Sequence, residues 1–87
     1  MNPERSNAVN HSYTSTGSAV KIITADPMRE FICFYAVDGA CEIVIGDNTF
    51  ADNAITIEEG VMWEPKVILT GNVWFSGTSG NKLTVLW

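Results

Sequence analysis

Two cysteines, one histidine and five basic residues are all that this 87-residue chain has of the types on which most site chemistry depends. Zinc needs about four converging Cys, His or carboxylate ligands. His11 stands in a polar leading segment, well away in sequence from Cys33 and Cys41. No metal and no other cofactor is therefore expected. Phosphate backbones are bound by clusters of Lys and Arg. From Val20 onward four bases (Lys21, Arg29, Lys66, Lys82) face nine acids, and the whole chain carries a net charge of −5. That balance disfavours direct nucleic-acid binding, and no nucleic-acid partner is expected. No apolar run is long enough to cross a bilayer, so no membrane partner is expected either. The start, Met1-Asn2-Pro3-Glu4-Arg5, lacks the apolar stretch of a secretory signal. Synthesis without a signal peptide, in the cytoplasm, is the expectation, and Asn10-His11-Ser12 is then a chance match to a glycosylation acceptor.

Catalytic groupings are missing too. His11 has no neighbouring nucleophile or orienting acid, so no triad is supported. Glu58-Glu59 and most Asp residues fall in turns, where Asp serves local hydrogen bonding, and they do not form the flanking pair of a glycosidase. Gly46-Asp47-Asn48 is too sparse for a calcium loop. Gly77-Thr78-Ser79-Gly80 precedes neither Lys-Ser/Thr nor a helix, so it is no phosphate loop. The chain reads as a non-enzyme.

What is present is β-structure behind a polar lead. Residues 1–19 are rich in Ser, Thr, Asn and Gly and have little to bury, so they read as an extended N-terminal arm that orders on a partner. Residues 20–87 read as the folded domain. Strands are expected at Val20–Thr24, Phe31–Val37, Ala40–Ile45, Ala54–Ile57, Val61–Glu64, Val67–Thr70, Val73–Ser76 and Lys82–Trp87, with Pro65 marking a break. No window repeats near 3.6 residues. The class is all-β: a small antiparallel β-sandwich or jelly-roll-like barrel.

Asp38-Gly39 between two β-prone runs predicts a two-residue hairpin pairing Phe34 with Ile43 and Ile32 with Ile45. Alternation then puts Ile32, Phe34, Ala36, Cys41, Ile43 and Ile45 on one face, and Cys33, Tyr35, Val37, Ala40, Glu42 and Val44 on the other. The two cysteines fall on opposite faces, so both read as small buried hydrophobes without a bridge. The same parity gives an expected core of Ile32, Phe34, Ile43, Ile45, Ile55, Ile57, Val73, Phe75, Leu83 and Val85.

Three tryptophans in so short a chain, Trp63, Trp74 and Trp87, either fill the core or anchor an interface. Alternation across Val73-Trp74-Phe75 turns Trp74 outward, toward the face of Tyr35. Tyr35, Val37, Trp63, Trp74 and Trp87 are the candidate partner-interface residues. A core this small gains from oligomerisation, so self-association is expected.

The order of these signals resembles a group of small β-rich virion proteins of tailed bacteriophages. The likeness runs through Ser15-Thr16-Gly17-Ser18-Ala19-Val20-Lys21-Ile22-Ile23, Arg29-Glu30-Phe31-Ile32-Cys33-Phe34, Glu42-Ile43-Val44-Ile45-Gly46-Asp47, Ala54-Ile55-Thr56-Ile57-Glu58-Glu59-Gly60, and the Gly71–Val85 stretch with its Gly/Ser turn. The resemblance implies a structural protein of the phage particle, on the capsid surface: a decoration or cement protein, with a head-fibre, knob or tail component as the alternative. It implies the major capsid protein as partner, and a homotrimer, because capsid lattices offer three-fold sites. A carbohydrate-binding module using the outward Trp and Tyr as a stacking platform stands beside it, while a cupin-like enzyme would need histidines that residues 20–87 lack.

Overall fold

The computed structural model describes residues 10–46, 54–66 and 69–87. Eight strands run β1 (Asn10–Thr14), β2 (Val20–Ile23), β3 (Cys33–Asp38), β4 (Cys41–Ile45), β5 (Ile55–Ile57), β6 (Met62–Trp63), β7 (Val73–Gly77) and β8 (Lys82–Leu86). They form two antiparallel four-stranded sheets, ordered β1-β8-β3-β6 and β2-β7-β4-β5. That order is a jelly-roll sandwich, as the all-β reading expected. Residues 1–9 of the expected arm, Asp47 and Asn48 of the calcium-loop candidate, and Val67–Ile68 of one expected strand lie outside the described residues.

Four short links stack the sheets in order. Residues 15–19 join β1 to β2, residues 39–40 join β3 to β4, residues 58–61 join β5 to β6, and residues 78–81 join β7 to β8. Each link passes from one sheet to the other. A two-residue link spans little more than the ~10 Å between packed sheets, so β4 lies over β3. The same logic sets β1 beside β2 along one lateral side and β6 beside β5 along the other.

The Asp38-Gly39 hairpin is therefore corrected. β3 pairs with β8 and β6, while β4 pairs with β7 and β5, so Phe34 faces Val85 and Trp63 in its ladder, and Ile43 faces Phe75 and Ile55. The link is an arch across the sandwich. Gly39 has φ +82°, and a Cβ there would collide with the side-chain amide of Asn81, whose Nδ2 donates to Ala40 O at 2.9 Å. Both requirements call for glycine, and an arch meets them as well as a hairpin does.

The face assignment survives the change of pairing. Phe34, Ala36, Cys41, Ile43, Val73, Leu83 and Val85 are fully buried between the sheets, with Ile23, Ile32, Ile57 and Phe75 beside them. Ile45 is partly buried against this cluster. Ile55 is a correction, because at 38% exposure it sits on edge strand β5 and not in the core.

The polar lead is a second correction. Asn10–Thr14, expected as free arm, pair residue for residue with Leu86–Lys82 of β8. Polar side chains hid the strand, since an edge strand needs few apolar residues. Tyr13 is its apolar contribution, packed against the core cluster. Beyond it, Ser15 is buried and ties the first arch to the last. Its hydroxyl donates to Gly77 O at 2.7 Å, its amide donates to Asn81 O at 2.8 Å, and its carbonyl accepts from Gly80 N at 2.9 Å.

Candidate interaction surfaces

The five interface candidates do not form one patch. Tyr35 and Val37 lie on the outer face of the first sheet, opposite in parity to the buried Phe34 and Ala36. Val37 is 44% exposed at an irregularity, where the β3–β8 register shifts between Ala36 and Asp38. Trp74 belongs to β7 in the other sheet, opposite Val44. It cannot stand beside Tyr35. Its indole Nε1 donates to Gly46 O at 2.9 Å, which holds the half-buried ring against its own sheet.

Trp63 and Trp87 belong to the sandwich. Trp63 stacks on Phe34 with ring centroids 5.5 Å apart, and Trp87 stacks on His11 at 4.5 Å. Both pack against the core cluster. Among the described residues the indole Nε1 of Trp87 is buried without a hydrogen-bond partner. The one histidine thus serves as an apolar plate that seats β1 on the chain's last residue.

The outer face of the first sheet carries a cross-strand row of Met62, Tyr35, Thr84 and Ser12, running over β6, β3, β8 and β1. None of these four is charged. Met62 is 61% exposed, and neighbouring Val61 is exposed as well. The sequence reading did not single out either residue. Its one signal was their place beside Trp63 in a run otherwise flanked by Glu and Pro. The outer face of the second sheet differs, with the row Thr56, Glu42 and Ser76 crossing β5, β4 and β7. These three residues line an open groove of about 480 Å³ together with Gly17 and Thr78.

Among the described residues the four strands at the sheet edges are not equal. β2 carries Lys21 and a register shift between Lys21 and Ile23. β5 has three residues and runs into Glu58-Glu59, and β6 has two residues followed by Glu64-Pro65. Charge, irregularity, brevity and proline are the usual devices that keep an edge from pairing further. β1 has five residues in unbroken register and carries none of these devices.

The remaining chemistry is buried. Cys33 and Cys41 are free and buried in different sheets. Burial pushes both thiols up, Cys33 further through Glu64 and partly offset by a backbone hydrogen bond from Phe34, so neither is poised as a nucleophile. Arg29, also buried, donates Nη1 to Leu69 O at 2.6 Å and to Gly71 O at 3.2 Å, and Nη2 to Thr24 O at 2.9 Å. It is a clamp between two loops. Among the described residues no group of three or more His, Cys, Asp or Glu is placed to hold a metal.

No family model and no curated protein matches the chain. A solved structure does share the fold, with a TM-score of 0.54 and 19% identity over 93% of this chain and 84% of that one. It comes from work reporting that Bacillus endospore appendages form a novel family of disulfide-linked pili. This overturns the resemblance to tailed-phage virion proteins. With it go the capsid decoration role, the head-fibre, tail and carbohydrate-binding alternatives, and the major capsid protein as partner. The phage readings rested on an order of strands and turns that other β-sandwiches share in part, and the carbohydrate platform rested on Trp74 beside Tyr35, which lie in different sheets.

Proposed function

We propose that this protein is a non-enzymatic structural subunit that joins further copies of itself into an appendage-like polymer. The observation that carries the reading is the fold likeness to a pilus protein across nearly the whole chain. The described surfaces support it. Each lateral side of the sandwich ends in open edge strands, and the outer face of the first sheet presents uncharged and apolar side chains. Open sides at both ends of a sheet suit head-to-tail growth, which forms rings or filaments according to the rotation between copies.

The mode of linkage departs from the neighbour's. Its pili are described as disulfide-linked, whereas both cysteines of this chain are buried. The polymer proposed here is held by non-covalent contacts.

Sedimentation velocity over a concentration series, with negative-stain imaging of the most concentrated sample, tests the reading. Species that grow past the dimer as concentration rises, with or without reductant, are expected. A chain that remains monomeric at millimolar concentration rejects it.

A further inference from the structure

Edge protection and charge together single out one joint between copies. Residues 10–24, which form the β1/β2 side, include Lys21 and no acid. Lys82 stands between Thr14 of β1 and Asp38 of β3 in the ladders, and brings a second positive charge, one strand in from the edge and facing Asp38, close to that side. Residues 54–66, which form the β5/β6 side, include Glu58, Glu59 and Glu64 against Lys66. A molecule of net charge −5 is thus polarised across its width, with Lys21 and Lys82 near the β1 edge and three of its acids on the opposite side. Like-with-like contact of two β1/β2 sides would bring positive groups together. Contact of a β1/β2 side with another copy's β5/β6 side brings opposite signs together.

The geometry points to β1 as the receiving edge of a heterologous joint, whose occupant is the β5/β6 side of a second copy of this chain. The proposal rests on the self-assembly reading and adds which sides meet. Along an antiparallel strand the backbone N–H and C=O groups of successive residues point alternately to either neighbour. β8 takes one set along Asn10–Thr14, and among the described residues no backbone partner takes the other. The brevity of β5 and β6 and the acids beside them keep like edges from pairing with them. Against the β1/β2 side, however, those acids meet positive charge, and the extended Ile55–Ile57 segment of β5 then satisfies part of that outer set. It also continues the sheet without deforming either copy, which is the physics of strand addition. Cys33 and Cys41 are buried away from this side, so the joint forms without sulfur chemistry.

Proline scanning of β1 tests the assignment, because of two adjacent residues one faces β8 and the other faces outward. Ser12→Pro and His11→Pro are compared with the parent and with His11→Ala, which accounts for loss of the ring on Trp87. The variant that keeps the melting temperature of its reference is expected to lose at least tenfold in association constant. If that variant assembles as well as its reference, the edge assignment falls while the polymer reading stands. Should both proline variants melt early, amide exchange in the parent decides: alternate β1 amides are expected to slow at least tenfold on assembly, and unchanged rates overturn the proposal. Growth that stops at a dimer overturns the heterologous pairing. A parent that never associates removes the polymer reading and this joint together.

Discussion

Phe34 is where the two sheets close on each other, and it shows what single residues reveal in this chain. It is fully buried, lies among the largest buried side chains and stacks on Trp63. Phe34→Ala is expected to cost roughly 3–5 kcal/mol, a large share of the ~5–15 kcal/mol that holds an ordinary domain together. Urea unfolding checks this, and an unchanged midpoint would contradict the packing. Residue parity was legible: alternation put Phe34, Ile43, Val73, Phe75, Leu83 and Val85 inside, and there they are. Parity does not say which sheet a strand joins, which is why Trp74 was expected near Tyr35. The buried thiols give a second prediction. Their folded pKa values are raised by burial, so from about pH 8.5 upward the unfolded chain releases protons that the folded chain keeps. The unfolded state then binds fewer protons, and stability falls as pH rises, by at most ~1.4 kcal/mol per pH unit for each thiol. The double variant Cys33→Val/Cys41→Val should flatten that alkaline slope. An equally steep slope in the variant would assign it to other groups.

Elements fail to be legible where their sequence serves two geometries. A glycine turn between strands that are apolar on one face suits a hairpin, whose strands lie side by side. It suits equally an arch, whose strands lie face to face, and here the arch holds because β7 and β8 take the pairing positions. β1 escaped notice for the opposite reason: its stability comes from a full ladder with β8 and the two plates His11 and Tyr13, and little from its composition. Arg29 was visible as a lone base ahead of the strongest strand, yet nothing in the sequence said that loop carbonyls would receive it. Burial lowers its pKa, Asp26 opposes the shift, and three carbonyls accept its hydrogen bonds. Arg29→Ala strands Thr24 O, Leu69 O and Gly71 O and is expected to cost about 1–3 kcal/mol, the penalty of leaving buried polar groups unmet. The readout is local: the Asp26 amide, which donates to Thr70 O at 2.8 Å between the same two loops, should exchange markedly faster. Protection equal to the parent's would show that the loops hold without the clamp.

At the scale of the whole molecule, two electrostatic effects of different range compete when copies meet, and ionic strength separates them. The net charge of −5 repels between centres, which for side-by-side copies are separated by about the 25 Å middle dimension of the chain. The complementary sides attract through groups a few ångströms apart. The Debye length is ~30 Å at 0.01 M salt, ~10 Å at 0.1 M and ~3 Å at 1 M. At the lowest of these the long-range repulsion acts in full, and by the middle one it is largely screened. Contact pairs between Lys21 or Lys82 and Glu58, Glu59 or Glu64 still act at the middle value and fade toward the highest. Association of the chain is therefore expected to strengthen from about 0.01 M to about 0.1 M salt and to weaken again toward 1 M, a maximum that light scattering at fixed protein concentration can follow. The charge-reversed variant Glu58→Lys/Glu59→Lys lowers the net charge to −1 and removes the complementarity. It should associate less than the parent at about 0.1 M despite its weaker overall repulsion. A monotonic rise with salt in the parent, or a variant that associates better, would mean that apolar contact alone joins the copies and that the polarised sides play no part.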